Sequence, residues 1–223
     1  MANPSEICNL ALSHLGNGKP VNNYLTETSA EALACRAYFT FAVNATLKAF
    51  WWEFAKRFTQ MGQVELPVGA DQLYGYAYRY PTDCLEIRRF VSGGVLNNSW
   101  TESGPGLRGG YDPRASALDL GEFALMDDPA GTVVLTNQSS GLIEYTSNMS
   151  GLSSHWPDDF VLTVSYRLAA YIAPRVTAGD PFKTGQNAMQ MYAMHLAEAR
   201  TNDIRQGPKT RQTGARWITE RNQ

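Results

Sequence analysis

The residues best suited to chemistry in this chain are three histidines, three cysteines and scattered carboxylates, and their spacing does not gather them. His14, His155 and His195 stand far apart, none in an HExxH helix or beside a cysteine at ligand spacing, so no zinc site is visible. Cys8, Cys35 and Cys84 are odd in number and lack a CxxC pair, and they read as buried thiols rather than as disulfides or metal ligands. Gly104, Gly106 and Gly109 match GxGxxG, with Asp127 and Asp128 about where a ribose-binding acid would follow. Dinucleotide binding needs a strand before that motif and a helix opening after it, so that the helix N-terminus meets the pyrophosphate; Pro105, Gly110 and Pro113 signal turns instead. No GxSxG elbow and no GxxxxGK[ST] loop occurs. A glycosidase could still hide here, because two carboxylates converging in space leave no local signature. Glu53 and Asp83 are the pair to nominate, and solvated or capping carboxylates are the simpler reading of both. No cofactor, metal or catalytic constellation is expected.

The elements that would position these residues follow from hydrophobic period. Ser5 offers an N-cap, and Ile7, Leu10, Ala11 and Leu15 repeat at helical spacing before Gly16. Ala34, Tyr38, Phe41, Ala45, Ala49 and Trp52 then predict a long amphipathic helix from about Ser29 to Phe58, ending in the cluster Phe50, Trp51, Trp52, Phe54 and Phe58. From Gln60 to Ser150 short runs near Val64, Tyr74 to Tyr80, Leu85 to Val91, Leu118 to Met126, Thr132 to Thr136 and Leu142 to Tyr145 alternate with turn residues, as in a meandering antiparallel sheet. Gly93 to Ser116 reads as an exposed loop. Helical period returns after Pro157, with Val161, Val164, Leu168, Tyr171 and Ile172 as an apolar face and Pro174 expected to kink or end the helix. A last helix opens after Asp180, with Met189, Tyr192, Leu196 and Ala199 inward, and Gly207 and Pro208 break it.

The fold class this predicts is α+β. Residues 1–58 and 151–207 form a helical bundle from both chain ends, 59–150 an inserted antiparallel β domain, and 208–223 a C-terminal arm. Tyr74, Tyr76, Tyr78 and Tyr80 alternate in period two, so on a strand their rings make one ridge. Such a ridge suits a subunit interface, together with Trp51 and Trp52; half-buried core tyrosines are the alternative.

Net charge is −2, unevenly spread. From Arg200 onward six basic residues face two acidic ones, leaving 13 basic and 19 acidic before them. That basic tail, with Arg205, Arg211, Arg216, Trp217 and Ile218, fits protein docking better than nucleic acid, which would call for a denser run with more aromatics. No apolar run approaches a membrane span, and Met1 to Glu6 does not open like a signal peptide, so the chain is expected to be made in a cytoplasm.

Several segments, in order, resemble one family. Ile7-Cys8-Asn9-Leu10-Ala11-Leu12 with Leu15-Gly16, Ala30 to Cys35, Trp52-Glu53-Phe54-Ala55, Tyr80-Pro81-Thr82-Asp83-Cys84-Leu85, Tyr145-Thr146, and Trp156-Pro157 with Phe160 leading to Leu168-Ala169-Ala170-Tyr171-Ile172-Ala173 are similar to the tail tubular protein A group. These are head-to-tail adaptors of short-tailed bacteriophages. The resemblance implies a non-enzymatic ring, usually of twelve subunits, in the virion neck: seated below the portal, continued by the tail nozzle, and threaded by genomic DNA without sequence-specific binding. Assembly is implied to take place in the host cytoplasm, and the basic arm, which lies outside the resemblance, is expected from its charges and the Trp217–Ile218 anchor to dock on the portal. A virion enzyme that cleaves peptidoglycan is the alternative, resting on the carboxylate pair alone.

Overall fold

The computed structural model describes residues 3–91, 123–148, 155–177 and 179–206. The first helix, α1, spans Pro4–His14. Its cap is Asn3 rather than Ser5: the Asn3 side chain accepts from the Ser5 amide while Glu6 reaches back to the Asn3 amide, a capping box. Gly16, at φ +72°, takes the left-handed position after the helix and lets the Asn17 amide close onto the Leu12 carbonyl.

The second helix, α2, spans Ala30–Lys48 and is capped by the Ser29 hydroxyl. It therefore stops ten residues short of the predicted Phe58. Five bulky aromatics between positions 50 and 58 cannot share one helical face, and Trp52 resolves the conflict. Its backbone is extended and its indole N–H donates 3.0 Å to the Thr46 carbonyl, one of the acceptors a helix end leaves open. A single turn of 3-10 helix, Glu53–Ala55, follows, and Lys56–Gln60 becomes strand β1. The buried face of α2 is also rotated from the predicted one. Cys35, Phe39, Ala42, Val43, Thr46 and Leu47 point inward, while Phe41 is 69% exposed. Both sets recur at helical spacing, so local period alone does not choose between them.

The third helix, α3, spans Asp158–Val176, and α4 spans Pro181–Gln206. Pro174 lies inside α3, two residues before its end. Lacking an amide hydrogen, it frees the Ala170 carbonyl, and Gly185 of α4 packs there: a Cβ at 185 would sit 3.4 Å from that oxygen. Asp180 caps α4 by accepting from the Lys183 amide, as predicted. Ala188, Tyr192, Leu196 and Ala199 face the core, but Met189 does not. The central helix is α3, which packs against α1, α2 and α4. Helices from both ends of the chain thus share one apolar core, with the β region inserted between them.

That region is two antiparallel sheets rather than one meander. In the first, β7 (Leu142–Ser147) lies between β1 and β4 (Cys84–Phe90); in the second the order is β2 (Gln63–Val64), β3 (Tyr76–Arg79), β6 (Gly131–Thr136) and β5 (Phe123–Asp128). Ile87, Ile143 and Tyr145 of the first sheet meet Tyr78 and Val134 of the second in a shared core. The loop predicted at Gly93 to Ser116 and the start of the run at Leu118 lie outside the described residues.

The tyrosine ridge faces this core. Tyr78 is 2% exposed and stacks on Tyr76 at 6.4 Å, with Tyr80 against the same cluster. Tyr74 precedes the strand and packs on the opposite face, beside Ala77, Val133 and Leu135. Room for Tyr78 comes from Gly141, where an added Cβ would fall 2.6 Å from a ring carbon. Gly141→Ala is therefore expected to cost about 1–3 kcal/mol by overpacking. Urea unfolding measures this, and an unchanged midpoint would show that the ring can yield.

Candidate functional site

The bundle and the sheets meet at a buried polar joint. Arg88 of β4 is 2% exposed; its Nε donates 2.9 Å to the Thr146 hydroxyl and its Nη2 donates 2.6 Å to the Trp52 carbonyl. Its Nη1 lies 3.9 Å from Glu144, which also pairs with Arg89. On the helical side, the buried Asp203 of α4 accepts 3.0 Å from the Glu53 amide. Around them Trp52, Phe54, Trp156 and Phe160 stack edge to face or tilted, with Phe160 4.9–5.2 Å from each of the other three. The remaining void between Trp52, Phe160, Ala199 and Asp203 is about 10 Å³, room for one water at most, so the joint is packed rather than open to a ligand.

Burial pushes the Asp203 carboxyl above the usual aspartate range; Glu53's charge adds to this, while the Glu53 amide, Arg88 and Lys56 oppose it. An acid whose folded value is raised contributes stability that is full below its unfolded value, near 4, and is lost as pH rises through the folded value. Asp203→Asn keeps an acceptor for the Glu53 amide and cannot ionise. The variant is therefore expected to gain on the wild type between pH 4 and pH 7 in urea unfolding. If the wild type gained instead, attraction to Arg88 would outweigh burial.

The nominated carboxylates have separate partners. Glu53 forms an ion pair with Lys56, and Asp83 accepts from the Tyr145 hydroxyl at 2.8 Å and from Ser147 at 3.3 Å. Burial, together with that bond, raises the Tyr145 phenol to about 12. Asp127 and Asp128 brace the β5–β6 hairpin: Asp127 accepts from Thr132, and Asp128 holds Arg79 at 2.9 Å, which keeps the Asp128 carboxyl below its usual range. Gly104, Gly106 and Gly109 lie outside the described residues. Cys8, Cys35 and Cys84 are buried free thiols, as read from the sequence. His14 and His195 sandwich Tyr166, at 3.8 and 4.9 Å, and so clasp α1 and α4 to α3. Among the described residues no group of three His, Cys, Asp or Glu side chains is placed to hold a metal ion.

Of the predicted interface residues, Trp52 at 1% exposure and Tyr78 at 2% belong to the subunit interior and cannot meet a neighbour. Trp51, Tyr74, Tyr76 and Tyr80 are half-buried. Arg205 sits exposed in the last turn of α4, not in an arm, while Arg211, Arg216, Trp217 and Ile218 lie outside the described residues. Among the described residues, further apolar side chains stand open on α2 and α4. On α2, Leu33, Ala37 and Phe41 recur every fourth residue on the face opposite the core. On α4, Phe182, Met189 and Ala193 share a second outward face, with Phe182 76% exposed. Both helices lean on α3 and meet at Arg167: α2 reaches Arg167 and Tyr171, and α4 reaches Asp159, Tyr166, Arg167 and Ala170.

No protein-family model matches the chain, and no curated protein matches it. Segments distant in sequence meet in pairs. Asp83 accepts from the Tyr145 hydroxyl just before β4 opens opposite β7, and Trp52 and Phe54 pack on Phe160, which also meets Trp156. No helix among the described residues is long and apolar enough to cross a membrane.

Proposed function

We propose that this protein is a structural head-to-tail adaptor of a short-tailed bacteriophage virion, not an enzyme. It forms a ring, of twelve copies as the resemblance implies, below the portal; it joins the portal to the tail nozzle and lines the channel through which DNA leaves. The observation that carries this reading is the pair of unlike, open apolar faces on α2 and α4. Apolar side chains held on outward helix faces suit contacts with other proteins, and two different faces that bind head to tail generate a ring when the rotation closes. Two further points support it. Trp52, Phe54, Thr146, Trp156 and Phe160, which fall in the resembling segments, help build the joint that holds bundle and sheets together, which suits a connector. The acidic excess before Arg200 would repel a passing polyanion, while the basic tail with Arg205, Arg211, Arg216, Trp217 and Ile218 supplies a separate docking element for the portal. Trp51, Tyr74, Tyr76 and Tyr80 would serve at the rim of subunit contacts.

Electron microscopy of the purified protein, alone and mixed with its portal, tests the reading. The expected result is a ring seated under the portal, with no lytic band in a peptidoglycan zymogram. A protein that neither assembles nor binds the portal, or one that clears peptidoglycan, would overturn it.

A further inference from the structure

We infer that Cys8 of α1 and Cys35 of α2 form a buried dithiol that a peroxide closes to an intrachain disulfide, pinning the first two helices together. The inference is independent of the adaptor reading. Its basis is that the two thiols face each other: the Cys8 S–H donates to the Cys35 sulfur, and both residues are 0% exposed. The hydrogen bonds around them hold that approach. Ser5, one turn before Cys8, accepts from the Tyr24 amide, while Arg36, next to Cys35, donates to the Tyr24 carbonyl, so α1 and α2 grip the same residue. The Tyr24 ring then packs on Phe39, one turn beyond Cys35. Bringing the sulfurs from hydrogen-bond contact to the ~2 Å of a disulfide asks for side-chain rotation and a small helix shift, not for a rearrangement.

A buried thiol often serves only as a small apolar filler, and Cys84 is that case. Burial pushes it up to about 11, and its hydrogen-bond neighbour is the Tyr80 hydroxyl rather than a second sulfur. Cys8 and Cys35 differ because each changes the other. The bond from Cys8 holds the Cys35 thiol below its usual range, against burial and the charge of Glu31, while that bond, burial and the charge of Cys35 raise Cys8. Cys35 is thus the thiolate that attacks and Cys8 the thiol that resolves. In the first step the Cys35 sulfur bonds to one peroxide oxygen, the O–O bond breaks, and the departing hydroxide takes up the proton that Cys35 gave up. In the second the Cys8 sulfur bonds to the Cys35 sulfur, the S–O bond of the sulfenic acid breaks, and the departing hydroxide takes the Cys8 proton. Two thiols lose two electrons, and one peroxide becomes two waters. Because both sulfurs are covered, the oxidant must be small enough to enter through brief openings of α1, which a peroxide is and a bulky disulfide is not.

The test treats the native protein with hydrogen peroxide, then unfolds it in urea with iodoacetamide so that every remaining thiol is blocked. Cleavage after Glu27, Glu31 and Glu65 puts Cys8, Cys35 and Cys84 on three separate peptides. Without reductant, mass spectrometry should find the Cys8 and Cys35 peptides joined, about 2 Da lighter than the two reduced peptides together, and Cys84 blocked. Dithiothreitol should separate the pair, and the joined protein should unfold at a urea midpoint about 1 M above the reduced one. In Cys8→Ser the reaction should stop at a Cys35 sulfenic acid, which dimedone labels, whereas in Cys35→Ser dimedone should find nothing at Cys8. Cys84→Ser should behave as the wild type. Three blocked thiols in the treated wild type, a link through Cys84 or between chains, oxygen gained at either sulfur without a link, or a joined protein no more resistant to urea than the reduced one would overturn the inference.

Discussion

Arg88→Met is expected to lower stability by about 3–5 kcal/mol, the cost of removing one partner from a buried ionic network. The guanidinium reaches from β4 to both the Trp52 carbonyl and the Thr146 hydroxyl, and it faces Glu144. Methionine fills much of the volume but leaves that carbonyl, that hydroxyl and two buried carboxylates, Glu144 and Asp203, without its charge. The loss should be larger at pH 7 than at pH 4, since Asp203 becomes protonated on the acid side and no longer needs a cation. Adding Asp203→Asn to the variant should recover part of the loss at pH 7. Chemical denaturation of the single and double variants at both pH values measures this. A single variant within about 1 kcal/mol of wild type would mean that the joint is held by its aromatics alone.

Trp52→Ala should cost a similar amount, about 3–5 kcal/mol, because it opens a cavity at the meeting point of α2, α3 and the 3-10 turn. The indole packs against Phe50, Phe54 and Phe160 at 5.1–5.9 Å and closes the end of α2 through Thr46. Trp52→Phe keeps most of the packing but loses the indole hydrogen bond, and should cost distinctly less. This reverses what an interface residue would do. A tryptophan between subunits would, when removed, weaken assembly and leave the monomer's unfolding midpoint alone. The interior position predicts a fallen midpoint in the isolated subunit.

The order of elements could be read from the chain because it depends on local period: the change from 3.6 to 2 near Gln60 and its reversal at Pro157 mark where the bundle yields to the sheets and resumes. What could not be read depends on partners distant in sequence. Lys56–Gln60 continues the pattern of a helix, and becomes a strand because β7, more than 80 residues later, pairs with it. Nothing local says which of Arg88 and Arg89 goes inside. The register shift between Ile87 and Arg89 turns two successive residues inward, so that Arg88 is buried and Arg89 is not. The tyrosine alternation correctly placed Tyr76 and Tyr78 on one face, but alternation does not say whether that face is covered by a second sheet. The exposed face of α2 did leave a signal: Leu33, Ala37 and Phe41 repeat opposite Cys35, Phe39, Ala42 and Leu47, and a helix apolar on two sides needs two partners.

The bundle's assembly from both chain ends has a consequence for how the molecule is made. His14 hydrogen-bonds Ser165, 151 positions away, so α1 and α2 emerge from the ribosome with their inner faces bare and no α3 to cover them. At ordinary synthesis rates that interval is on the order of ten seconds. During it Ile7, Leu12, Phe39 and Leu47 are open to other nascent chains, while the intervening strands can already begin to pair. Contacts of such long sequence separation also make for slow closure after denaturation. Yield of the intact subunit should therefore depend on chaperone supply and growth temperature more steeply than its final stability would suggest, and the helical core should be the last part to become protected from hydrogen exchange during refolding.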